Sequence, residues 1–97
     1  MYARVTRSTI APEKVDESIA WFEQTALPRA QSTPGFGGAL ELYDRETGAA
    51  LTVTLWGTKE ALEESERLAA NLRSEGASEA DFEILGVERY EATTYGL

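Results

Sequence analysis

The stretch PGFGGALELYDRETGAALTVTLW, residues Pro34 to Trp56, decides how this chain is read. A Pro-Gly lead-in precedes a strand from Phe36 to Tyr43. The polar run Asp44-Arg45-Glu46-Thr47-Gly48 makes the turn, and a second strand runs from Ala49 to Trp56. Gly48 can take the left-handed conformation that closes a type I turn with a bulge. Side chains alternate across a strand, so the hairpin has two distinct faces. Phe36, Leu40, Leu42, Leu51, Val53 and Leu55 make the more apolar face, which is expected to meet the helices. Glu41, Tyr43, Thr52, Thr54 and Trp56 then cover the opposite face.

Working outward, Tyr2 to Ser8 alternates as a short half-buried strand, with Ala3 and Val5 on one side and Tyr2, Arg4 and Thr6 on the other. Pro12 suits a first helical turn, and Glu13, Asp16 and Glu17 complement the dipole there. Val15, Ile19, Phe22 and Ala26 recur at helical spacing, flanked by Trp21, and the helix is expected to close near Leu27 to Arg29. Thr58 is a natural N-cap for a second helix carrying Ala61, Leu62, Ser65, Leu68, Ala69 and Leu72 on one side, with Gly76 as its expected end. Phe82 to Thr94 reads as the last strand, with Gly86 marking a bulge or close crossing.

The order strand, helix, strand, strand, helix, strand specifies an α+β class. It is a ferredoxin-like βαββαβ unit with a four-stranded antiparallel sheet, occupying residues 1–97 as one domain. Two helices roof only one sheet face. A homodimer that buries the other face is therefore expected.

The 97 residues carry 17 acids against 9 bases, a net charge of −8. That balance repels phosphate backbones and anionic membranes, so neither nucleic acid nor a membrane is an expected partner. There is no Cys and no His, which excludes thiol catalysis and disulfides and removes the usual zinc and haem ligands. No metal and no bound cofactor are expected. The start, Met1-Tyr2-Ala3-Arg4-Val5, has no signal-peptide character, and a cytoplasmic location is the expectation.

Several segments carry a family likeness. Ala3-Arg4-Val5-Thr6, the helix start Pro12-Glu13-Lys14-Val15-Asp16-Glu17 and Pro34-Gly35-Phe36 all resemble the antibiotic biosynthesis monooxygenase-like proteins. Val53-Thr54-Leu55-Trp56 running into Thr58-Lys59-Glu60-Ala61-Leu62 does so as well. The likeness covers nearly the whole chain and lies in scaffold features, not in a catalytic signature. It implies a dimeric α/β barrel with ligands held in a cleft between sheet and helices. It also implies a place beside cofactor-free quinone-forming monooxygenases, haem-degrading oxygenases and isomerases. The haem-degrading branch relies on a histidine, and this chain has none.

The candidate ligand-binding side chains are Trp21, Tyr43, Trp56 and Asn71. Two readings are open for each. Trp56 either desolvates a dimer contact or walls a pocket, and Trp21 is either core edge or pocket wall. Asn71 is either an idle surface amide or turns inward to orient a ligand carbonyl. Arg4 and Glu41 share a sheet face and form a candidate ion pair at the dimer interface, since a buried charge needs a partner. A functional version has Tyr43 as proton donor and Glu41, with raised pKa, as base. Two functions follow: a metal-free, cofactor-free monooxygenase or isomerase acting on a small aromatic or quinone-like molecule, or a non-catalytic dimeric module binding a small ligand.

Overall fold

The computed structural model describes residues 1–96; Leu97, the last residue of the expected domain, lies outside the described residues. Strands β1 (Tyr2–Thr9), β2 (Phe36–Tyr43), β3 (Ala49–Trp56) and β4 (Glu83–Glu91) form one antiparallel sheet in the order β2-β3-β1-β4. Helical segments α1 (Val15–Trp21) and α2 (Leu27–Gln31) connect β1 to β2, and α3 (Lys59–Glu64) and α4 (Glu66–Glu79) connect β3 to β4. This is the ferredoxin-like α+β arrangement. Among the described residues no helix is long and apolar enough to cross a membrane.

The helices run further than the sequence pattern suggests. Between α1 and α2, residues Phe22–Ala26 widen into a π turn in which the Leu27 N–H reaches back to the Phe22 carbonyl. Pro28 then stands in the first turn of α2, where its missing N–H forfeits no bond, and the helix continues to Gln31. Likewise α4 passes through Gly76, because the Ala80 N–H still bonds the Gly76 carbonyl at 2.8 Å. Gly76 is a packing glycine, since any Cβ there would run into the rings of Phe82 and Trp21. The expected cap at Thr58 is made: its Oγ1 accepts from the Ala61 N–H at 3.0 Å.

The sheet face assignment is reversed, except at Phe36, which a register shift before Gly38 puts opposite Trp56 on the helix side. Register pairs Arg4 with Thr54, Thr6 with Thr52, and Glu41 with Thr52, and these side chains face the helices together with Tyr43 and Trp56. The aliphatic set points away from the helices, leaving Leu40 52% and Leu42 48% exposed, with Leu51, Val53 and Leu55 in between. The helices explain the choice. Ser18 on α1 and Ser65 at the α3–α4 junction are both buried, and each finds its partner on the polar sheet face. With the opposite parity the Ser18 hydroxyl would meet only aliphatic carbon, at a cost of roughly 1–3 kcal/mol, and Ser65 would keep only the bond that its Oγ donates to the Leu62 carbonyl at 2.7 Å. The apolar packing is displaced to the flanks, where Ile10, Val15, Ala26, Ala30, Leu62 and Ala80 are buried.

The hairpin turn is held by Asp44, whose Oδ1 accepts from the Glu46 and Thr47 N–H groups. Gly48 has φ of 81°, and the Ile10 N–H donates to its carbonyl at 3.0 Å. In β4, Ser8 pairs with Ile84 and Arg7 with Gly86, so Leu85 is the extra residue of a bulge beside Gly86. A Cβ at Gly48 would strike the Ile10 carbonyl oxygen as well as straining the backbone. Gly48→Ala should therefore cost roughly 2 kcal/mol or more in urea unfolding; an unchanged midpoint would remove this role for the turn.

Candidate active site

Between the helices and the polar sheet face lies a cavity of about 90 Å³. At one end β2 delivers Tyr43, whose hydroxyl shares a 2.8 Å hydrogen bond with Ser18 Oγ on α1. Burial pushes the Tyr43 phenol up to about 12, with Ser18 opposing and the Glu41 charge adding to the rise. Glu41, two residues earlier and on the same face, is raised by burial and held partly in check by the hydrogen bond it accepts from Thr52 Oγ1. A half-buried carboxylate and a phenol thus face one space, one poised to take a proton and the other to keep its own.

Arg4 commands the other end. It is only 3% exposed, and its Nη2 donates to the Leu62 carbonyl and to Ser65 Oγ, both at 2.9 Å. The same nitrogen lies 3.0 Å from Glu66 Oε1. Glu66 also accepts two bonds from Arg89, at 2.6 and 2.7 Å, and these hold its carboxyl down at about 2. The Arg4 guanidinium stands 5.9 Å from the centre of the Trp56 ring. Trp56 is 1% exposed, donates its indole N–H to Thr54 Oγ1 at 3.0 Å and meets Phe36 edge-on at 5.7 Å. On the helix side the wall is Trp21, Phe22, Leu68 and Leu72, with Phe82 edge-on to Trp21 at 5.8 Å. The Trp21 indole N–H is taken by Glu79 Oε2 at 2.9 Å.

Trp21, Tyr43 and Trp56 therefore border the same cavity, and the dimer-contact reading of Trp56 is overturned because the ring is buried inside its own chain. Asn71 is exposed on α4 and does not line the cavity. The expected Arg4–Glu41 interface pair does not form. Both residues lie under the helices, and β3 separates their strands, setting them roughly 10 Å apart across the sheet and about 7 Å along it. Arg4 takes Glu66 instead. Ser18, Thr52, Glu66 and Arg73 belong to the site and were not singled out in the sequence. A signal existed for the last: 62, 65, 69, 73 and 76 follow one helical stripe, so Arg73 stands where an apolar residue is expected.

The two carboxylates have opposite consequences for stability. Glu41 has a folded pKa above its unfolded value, so its ionisation costs stability as pH rises through that interval. Glu41→Gln should raise the unfolding midpoint at pH 7 and leave it unchanged at pH 4. Glu66 is depressed, so its contribution is present above its unfolded value and is lost as pH falls from about 4.5 towards 2. Glu66→Gln should flatten that acid limb. Denaturant titrations across pH 2–8 check both, and parallel profiles for wild type and variants would contradict the assignment.

No family model matches the chain. Over 77 residues it is 32% identical to the uncharacterized protein Rv2558 of Mycobacterium tuberculosis, a match covering 79% of this chain and 33% of that protein. The uncharacterized protein Rv2557 of the same organism is 30% identical over 73 residues, covering 75% and 33%. The chain spans about a third of the length of these relatives. Among solved structures, a candidate antibiotic biosynthesis monooxygenase of Deinococcus radiodurans superposes with a TM-score of 0.74 at 13% identity, covering 100% of this chain and 97% of that one. The monooxygenase ActVA-Orf6 of Streptomyces coelicolor, in complex with nanaomycin D, gives 0.67 at 18%, covering 99% and 88%. A variant of SnoaB, a cofactor-independent oxygenase of Streptomyces nogalater, gives 0.70 at 18%, covering 97% and 94%. Strand order, helix placement and these superpositions agree: the chain carries the fold of the antibiotic biosynthesis monooxygenases.

Proposed function

We propose that the cavity binds a small hydroxyaromatic compound and that the protein acts on it as a cofactor-independent monooxygenase. The observation that carries this reading is the pairing of half-buried Glu41 with the Tyr43–Ser18 hydrogen bond on one side of a space walled by Trp21 and Trp56. In this reading Glu41 takes the phenolic proton, leaving an electron-rich ring, and Tyr43 donates a hydrogen bond to the developing oxyanion. Dioxygen adds to a ring carbon. Loss of that carbon's hydrogen with cleavage of the O–O bond leaves a quinone carbonyl and one water. The four electrons that reduce dioxygen all come from the substrate, and one oxygen atom ends in each product. The fold shared with ActVA-Orf6 and SnoaB supports the reaction class.

The size of the cavity favours a second reading. About 90 Å³ is well below the roughly 300–1,000 Å³ of drug-sized sites. It also falls short of the roughly 150 Å³ apolar cavity that accepts benzene. A non-catalytic module holding a ligand smaller than an aromatic ring fits those dimensions. Oxygen uptake with dihydroxynaphthalene, anthrone and one-ring hydroquinones separates the two. Turnover that falls at least tenfold in Glu41→Gln supports the monooxygenase. Saturable tryptophan quenching without oxygen uptake supports the binding module, and neither signal would sink both.

The exposed aliphatic face is covered by a second copy in this proposal. Leu40, Leu42 and Leu85 are 52%, 48% and 63% exposed on one sheet surface with half-buried Val53 and Leu55 beside them, and a cluster of exposed aliphatics of this kind marks an association surface. Light scattering should report a dimer, and Leu42→Glu should shift it to monomer with its circular dichroism intact. A wild-type monomer at micromolar concentration would refute the pairing.

A further inference from the structure

At the Arg4 end of the cavity positive charge exceeds what the protein neutralises. Among the described residues Arg4, Arg73 and Arg89 gather around one carboxylate, that of Glu66, an excess of two positive charges in a chain whose net charge is −8. Glu66 is fully engaged by Arg89 and Arg4. Arg73 has no carboxylate within ion-pair distance among the described residues, although acids outnumber bases almost two to one. Its Nη1 is buried without a hydrogen-bond partner, and so is Nε of Arg4, a side chain 97% removed from solvent. Both residues line the cavity. Unpaired guanidinium N–H groups in such a place call for an acceptor, and an anion is the strongest one.

We propose that the Arg4–Arg73 end of the cavity is an anion subsite that takes the carboxylate of a small hydroxyaromatic acid. The spacing defines the ligand. Glu41 is level with Thr6 across the sheet, two residues along β1 from Arg4, which is about 7 Å along the strand and roughly 10 Å across it. A one-ring hydroxybenzoate matches that length, its carboxylate on the arginines and its hydroxyl turned towards Glu41, and its ring enters only with outward movement of the side chains that now leave about 90 Å³. Burial lowers the proton affinity of Arg73, and the positive charges of Arg4 and Arg89 lower it further while Glu66 opposes them; a bound carboxylate relieves that repulsion.

The ring part of this ligand rests on the proposed aromatic site, and the test separates the two. Trp21 and Trp56 are the only tryptophans and both border the cavity, so intrinsic fluorescence reads occupancy directly. Wild-type protein is titrated with 4-hydroxybenzoate, its neutral analogue 4-hydroxybenzamide, phenol and acetate. The acid is expected to bind at least tenfold more tightly than the amide. Arg73→Met, which keeps an unbranched stem where the guanidinium has no hydrogen-bond or ion-pair partner among the described residues, should abolish that preference while leaving amide binding within twofold. Arg73→Lys should restore part of it, and the exposed Arg45→Gln should change nothing. Equal binding of acid and amide, or a preference that survives Arg73→Met, overturns the subsite. Acetate binding that depends on Arg73, with no binding of phenol or amide, keeps the subsite and discards the aromatic reading. Phenol and amide binding with no preference for the acid does the reverse.

Discussion

A guanidinium buried to 97% has to be met by acceptors, and in this molecule Arg4 determines which way the sheet faces. Its Nη2 finds the Leu62 carbonyl, Ser65 and Glu66 only if β1 turns Arg4 towards the helices. Antiparallel register does the rest. Thr54 lies opposite Arg4, Thr52 opposite Thr6, and Glu41 opposite Thr52, so one inward arginine carries a row of polar groups under the helical roof and turns the leucines outward. Leaving this charge unmatched would cost several kcal/mol.

The same arrangement explains why the interior is not filled. Ser18 and Ser65 occupy positions on the inward helix faces where leucine would pack, and the sheet opposite them carries threonines, Tyr43 and Glu41. Aromatic rings stand around the periphery, with Trp21 kept in place by Glu79 and by the missing side chain of Gly76. The space that remains has a carboxylate and phenol at one end and arginines at the other. A fold optimised only for stability has no reason to bury Glu41 with its pKa raised, and such groups concentrate where chemistry or binding is done.

Much of the scaffold was legible because its signals are local. The hairpin strands and the Asp44–Gly48 turn follow from alternation and from one glycine able to take positive φ, and the Thr58 cap follows from its hydroxyl. Pro28 and Gly76 misled as helix stops because their tertiary setting removes the usual penalty: a π turn precedes the proline, and two aromatic rings need the glycine's empty side. Trp21, Tyr43 and Trp56 stood out as large or polar groups near the sheet, and the cavity collects all three. Asn71 had nothing but its residue type to commend it.

By itself the sequence determined the element order, the hairpin and its turn, and the exclusion of thiol and histidine chemistry, since each depends on residue type or on neighbours a few positions apart. Only the tertiary structure decided which sheet face lies under the helices, that Arg4 answers Glu66 and not Glu41, and that Arg73 ends beside the cavity with no carboxylate in ion-pair distance among the described residues. Those outcomes depend on strand order and on what faces a buried charge across the layers, and alternation along a strand is the same whichever side is turned inward.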